Sequence, residues 1–201
     1  MGISLLLTSG PSSQAERSDL IQKSHAEVMK ALRANQTATD SGHYEMTPER
    51  RAFLNTIRFA EGTWKNGEDL GYQTLYGGGV FKDLSWHPEQ IVVKRYTSAA
   101  AGAYQFLPST WRMVAKELNL PSFEPKHQDQ AALHLAKKRG ALQEIDNNGL
   151  THSAMHRIAP EWASFPTRAG NSAYGQPVKT HAELSTFYAN NLKQLRQKRD
   201  A

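Results

Sequence analysis

The stretch FLNTIRFAEGTW, residues 53–64, places a glutamate where a helix would be expected to put another apolar side chain. Upstream, Thr47, Pro48 and Glu49 make a helix start. The threonine hydroxyl can accept from free amides, proline tolerates the first helical position, and an acid suits the positive end. Gly62 is a helix stop. Between them Phe53, Leu54, Ile57 and Ala60 recur at helical spacing and predict an apolar stripe facing a core. Glu61 follows Ile57 by four residues, Leu54 by seven and Phe53 by eight, so it extends the stripe and should be partly buried. Desolvation and the negative end of the helix dipole both disfavour its charged form. An acid that keeps its proton near neutral pH can protonate a glycosidic oxygen. A glutamate that snorkels at a helix end, or accepts bonds from the Gly62 turn, fits the same position.

Composition narrows the field. A chain of 201 residues with 39% hydrophobic content can bury one core, with a short accessory segment left over. The absence of cysteine excludes a disulfide scaffold, a thiolate metal site and a cysteine nucleophile. The net charge of +5 favours anionic partners, among them nucleic acid, acidic lipid and the bacterial envelope, without choosing between them. No recognised nucleic-acid motif accompanies the charge, so no specific nucleic-acid partner is expected. The basic run KQLRQKRDA at the end reads as a solvated helix terminus that complements its dipole. No segment is long enough to cross a bilayer, and ISLLL near the start is too short and lacks the basic flank of a signal peptide. Leu6 occupies the position where myristoylation requires serine or threonine.

Along the chain, residues 1–46 form an expected N-terminal extension. TSGPSSQ and NQTATDSGH are linker-like, and between them Ile21, Val28, Met29 and Leu32 mark one amphipathic helix that needs a surface to dock on. Residues 47–201 form the expected main domain. GYQTLYGGGVFKDL predicts a small hairpin around Gly77, Gly78 and Gly79, and IVVKRYTSAAAGAYQF predicts a further extended segment. A helix restarts near Pro108 with Trp111, Val114, Ala115 and Leu118 buried, and Pro121 ends it. Others are predicted from Pro125 to Arg139, from Thr151 towards Pro160, and from Thr180. In the last of these Glu183 stands in capping-box spacing, and Leu184, Phe187, Tyr188, Asn191 and Leu195 share one side.

In order and spacing, RAFLNTIRFAEGT, GYQTLYGGGVF, HPEQ, AAGAYQFLPSTW, FEPKHQDQAALHLAKKRGAL, EWASFP and AYGQ resemble the phage lambda lysozyme family, endolysins that act as lytic transglycosylases. The likeness spans about residues 50–195 and leaves the front segment unmatched. It implies an α+β lysozyme-like fold, mainly helical, with one small antiparallel β-sheet beside the active-site cleft. It also implies cleavage of the β-1,4 bond between N-acetylmuramic acid and N-acetylglucosamine in bacterial peptidoglycan, with no cofactor. The family's catalytic glutamate lies in its EGT motif and carries over to Glu61.

Most glycosidases need a second carboxylate. Here Glu68, Asp69 and Asp83 are loop acids of the kind usually just solvated. Relatives carry aspartate after their GY pair, where this chain has Gln73. That departure favours a one-acid transglycosylase, with a hydrolytic muramidase or a noncatalytic wall-binding module as alternatives. Gln73 can still orient a sugar. Tyr104 and Tyr174 can pack on sugar faces, and Gln105 and Gln176 can pair with N-acetyl groups, although Tyr104 could equally fill core and Gln176 cap a turn. Relatives have arginine where Ala103 stands, and Trp111 and Trp162 read as core. The pairs His152/His156 and His127/His134 have ligand-like spacing, but HSAMH lacks the glutamate of zinc proteases, so no metal is expected. The extension suggests a phage tail or virion partner, hence a virion-associated enzyme acting in the host periplasm. The alternative is storage in the host cytoplasm until a holin releases it.

Overall fold

A computed structural model describes residues 22, 23, 27, 42–65 and 69–199. The amphipathic helix expected near Ile21, Val28, Met29 and Leu32 lies outside these residues, as does Glu68. The chain divides into two units, Met1–Gly42 and His43–Ala201. Every helix and strand named below belongs to the second.

Its central element is α1, Pro48–Ala60. Thr47 caps it by accepting from the Arg50 amide at 3.2 Å. At the other end Glu61 is the capping residue, and Gly62 takes φ 73°. The Thr63 amide returns to the Arg58 carbonyl at 2.9 Å and the Gly62 amide to that of Phe59 at 3.3 Å. These are the two bonds of a Schellman turn, so the glycine stop read from sequence also fixes where Glu61 points. Burial of α1 goes beyond the expected stripe: Ala52, Asn55, Thr56 and Arg58 are buried along with Phe53, Leu54 and Ile57. The reason is α6, His181–Arg199, which packs along its other side. There Phe59 stacks on Phe187 with ring centroids 4.3 Å apart, and the Asn55 amide donates to Asn191 at 2.9 Å.

Around this pair lie α2 (Pro108–Leu118), α3 (Pro125–Lys138), α4 (Leu142–Asn148) and α5 (His152–Ile158). α2 buries Trp111, Val114, Ala115 and Leu118 and ends on Asn119 at φ 50°. Thr151 caps α5 through the Ala154 amide, and Thr180 and Glu183 form a reciprocal capping box before α6. The short helix α4 has no expectation in the sequence, because its seven residues offer too few turns to show a period. Trp111 is the hub of the aromatic core, meeting Phe123 edge to face at 4.5 Å.

The small antiparallel sheet comes from the second extended segment. Strands β1 (Val92–Val93) and β2 (Thr97–Ser98) pair as Val92↔Ser98 and Val93↔Thr97. Around the glycines the expected hairpin is reduced to 3-10 turns, Asp69–Gln73 and Tyr76–Gly78, joined by the single bridge Thr74↔Val80. Successive glycines offer no side chains for cross-strand pairing, and Gly77 and Gly78 take φ 76° and 94°. The bridges Leu75↔Ala101 and Ala101↔Phe106 join this turn to the loop before α2. Among the described residues no helix is long and apolar enough to cross a membrane.

A β-carbon on Gly62 would meet no atom within 4 Å, so only its backbone angle resists substitution. Gly62→Ala is expected to lose about 1 kcal/mol of stability from the left-handed conformation alone, read as a lower denaturation midpoint at unchanged slope.

Candidate active site

The Schellman turn delivers Glu61 to a junction of three backbone segments. The first is the turn itself, residues 61–64. The second is the loop 101–106, in which Gly102 adopts φ 81°. The third is the turn 162–165 after α5. Hydrogen bonds lace the three together. Thr63 donates its hydroxyl to the Ala103 carbonyl at 2.6 Å, the Trp162 indole donates to the Tyr104 carbonyl at 3.1 Å, and the Ser164 hydroxyl donates to Glu61 Oε1 at 2.6 Å. Gly102 is required here, because a β-carbon would come within 2.2 Å of Gln128 Oε1. That same oxygen accepts from the Ala103 amide, while the Gln128 amide donates to the carbonyls of Tyr72 and Phe123.

Glu61 keeps part of its surface, yet its carboxyl centre is densely surrounded by protein. Desolvation pushes its pKa from the ordinary 4.5 up to about 7, against the smaller, opposite pull of the Ser164 hydroxyl. The direction expected from sequence is therefore met, and burial is its cause.

The other residues singled out from sequence divide. Tyr104 is a correction: it has no exposed surface, and its hydroxyl donates to Asp129 at 2.5 Å. Asp129 is itself buried, pairs with Arg51 at 2.7 Å and accepts from the Tyr72 hydroxyl at 2.7 Å, so the phenol is drawn inward to satisfy a buried carboxylate instead of facing a sugar. Gln105 is half-buried at φ 48°, and its amide nitrogen is engaged by the carbonyls of Thr74 and Gly102. Gln73 is half-buried and reaches the Lys82 carbonyl at 3.4 Å. Tyr174 is 60% exposed, held upright by its hydroxyl bond to the Pro160 carbonyl at 2.7 Å. Gln176, in the same turn, is exposed.

Ser164 is the residue the sequence reading missed. It stands inside EWASFP, one of the motifs behind the family resemblance, but a serine has no periodicity that marks it as a carboxylate's partner. Of the loop acids, Asp83 is exposed, and the Ser85 hydroxyl, with the Ser85 amide on which the carboxylate closes a turn, lowers its pKa. Among the histidines, His127 bonds Ser122, His134 bonds Tyr44 and Glu117, and His152 stacks on His181. The described residues contain no group of three or more side chains arranged for a metal ion.

A mainly helical lysozyme-like fold with a proton-retaining glutamate at the end of α1 is the arrangement of a peptidoglycan-cleaving enzyme. Comparison with known proteins makes this specific. The endolysin family model matches residues 51–195. The endolysin of Escherichia phage lambda is 38% identical over 138 residues, covering 66% of this chain and 84% of that protein. The endolysin of Escherichia phage P2 is 32% identical over 151 residues, covering 68% and 88%. A solved structure of bacteriophage lambda lysozyme complexed with a chitohexasaccharide superposes with a TM-score of 0.67 at 34% identity, over 74% of this chain and 96% of that one. The chain belongs to the endolysin family and is a phage lysozyme-type enzyme that degrades peptidoglycan.

Because the folded pKa of Glu61 lies above its unfolded value, the folded state holds the extra proton between about pH 4.5 and 7, and stability falls as pH rises through that window. Glu61→Gln removes the ionisable group. The variant is expected to match the wild type near pH 4 and to exceed it at pH 8 by on the order of 2 kcal/mol, measured by denaturant unfolding at the two pH values. Equal stabilities at both would contradict a desolvated carboxyl.

Proposed function

We propose that Glu61 is the single acid and base of a lytic transglycosylase that cleaves the β-1,4 bond between N-acetylmuramic acid and N-acetylglucosamine. The observation that carries this reading is the carboxyl group itself, desolvated to a pKa of about 7 and, among the described residues, hydrogen-bonded only by a neutral hydroxyl. In the forward step Glu61 gives its proton to the glycosidic oxygen as the bond to the muramic C1 breaks. The sugar's 6-hydroxyl oxygen, or first its N-acetyl group, bonds to C1. The hydroxyl proton passes to the Glu61 carboxylate, which restores the acid and leaves a 1,6-anhydro end with no water consumed.

Two features favour this over hydrolysis. An amide, Gln73, stands where relatives have an aspartate, and Asp83 is committed to its own turn. A hydrolytic muramidase needs a second carboxylate to activate water or to form a glycosyl-enzyme. For substrate contacts, the exposed ring of Tyr174 suits a sugar face, and Gln176 and the side-chain oxygen of Gln105 suit N-acetyl groups. Carriage on the phage particle is the delivery route of this reading, with storage in the host cytoplasm until a holin releases the enzyme as the alternative. Absence of the protein from purified virions would favour the alternative.

Glu61→Gln is expected to lower wall digestion by at least about a hundredfold. Mass spectrometry of wild-type products is expected to show ends lighter by one water than reducing ends. Full activity of the amide variant, or reducing ends only, would contradict the mechanism. Tyr174→Ala is expected to raise KM several-fold with a smaller change in kcat, as loss of a stacking platform should.

A further inference from the structure

Ser164 is held more firmly than a surface serine needs to be. Its carbonyl accepts from the Lys179 amide at 3.0 Å, the following Phe165 is fully buried, and the Phe165 amide returns to the Trp162 carbonyl at 2.9 Å. Trp162 is anchored in turn on the Tyr104 carbonyl. The hydroxyl thus reaches Glu61 from a turn fixed at both ends, and it touches only one of the two oxygens. Among the described residues Oε2 of Glu61 has no hydrogen-bond partner and keeps some accessible surface, so it remains open to an incoming group.

We propose that Ser164 is a positioning residue that gives the two oxygens of Glu61 separate roles. Oε1 receives the serine hydrogen bond, and Oε2 alone carries the proton to and from the sugar. This rests on Glu61 being the acid and base. With Oε1 accepting from the serine as observed, the protonated acid carries its hydrogen on Oε2. After transfer, the negative charge left on the carboxylate is stabilised at Oε1 by the hydroxyl, and Oε2 stays free to take the next proton. The donor has to be neutral, because lysine or arginine at this point would pull the carboxyl far down towards its ionised form and remove the acid.

The test compares Ser164→Ala and Ser164→Thr in the full-length protein. The readouts are kcat and KM on purified peptidoglycan across pH, and the titration of Glu61 followed by carbon NMR of labelled glutamate without substrate. Ser164→Ala is expected to lower kcat by about tenfold with KM within about twofold, and to move both the Glu61 titration and the alkaline limb of the rate profile upward. Ser164→Thr is expected to restore most of kcat and the wild-type titration, because it keeps the hydroxyl. An alanine variant with unchanged kcat and titration overturns the proposal. So does a rise confined to KM, or a folded threonine variant as impaired as alanine. These outcomes are distinct from failure of the acid assignment itself, which would show as an active Glu61→Gln enzyme whatever Ser164 does.

Discussion

Removing water from a carboxyl group without placing a charge beside it is the constraint on which this site depends. Water can be excluded from Glu61 only by bringing backbone close on several sides, and every such segment arrives with amides and carbonyls that must be bonded. The structure meets this locally. Ala103 has its amide bonded to Gln128 and its carbonyl to Thr63, the Tyr104 carbonyl takes the Trp162 indole, and the Ser164 carbonyl takes the Lys179 amide. Each bond closes the wall around the acid while leaving its charge balance untouched. A guanidinium used for the same closure would have tightened the wall and lowered the pKa it was meant to protect.

Behind that wall, charge is admitted. Asp129 is buried with Arg51 on one oxygen and the hydroxyls of Tyr72 and Tyr104 on the other. A buried ion pair recovers its desolvation only when its remaining hydrogen-bonding capacity is filled, which is what the two phenols do. Desolvation, followed by the field of Asp129, pushes the Tyr72 hydroxyl up to about 12 and Tyr104 well above its usual value, so both remain donors at any working pH. The cluster joins α1, the Asp69–Gln73 turn, the 101–106 loop and α3. It thereby positions the Ala103 and Tyr104 carbonyls on which the site is laced.

What the sequence discloses follows the range of the forces involved. Caps, stops and apolar periods act within a few residues, which is why Thr47, Gly62, Pro108, and the Thr180 and Glu183 pair mark real boundaries. The burial of Glu61 is legible for the same reason, since it extends a stripe that begins eight residues earlier. Contacts between distant segments leave no such trace. Ser164 lies 103 positions from Glu61, and Asp129 lies 57 from Tyr72 and 25 from Tyr104. From sequence Tyr104 therefore reads equally as a sugar platform or as core, and only the distant carboxylate of Asp129, which draws it inward, decides between them. The glycine run misleads for a related reason: it permits a reversal, but pairing depends on side chains it does not have.

Proton economy links the fold to the chemistry. In a one-acid cycle the same group must be protonated when the glycosidic bond breaks and ionised when the 6-hydroxyl surrenders its proton, so its affinity for that proton has to sit near the middle of the working range. An ordinary glutamate would be protonated in well under one molecule in a hundred at neutral pH, whereas one at about 7 is divided roughly evenly between the two forms. A second carboxylate nearby would disturb this balance by like-charge repulsion, holding the proton on Glu61 when it should leave. An amide at position 73 and a neutral hydroxyl at position 164 introduce no such repulsion. Under the proposed one-acid cycle, Gln73 and Ser164 would supply polarity without titrating, so the proton bookkeeping would fall to Glu61.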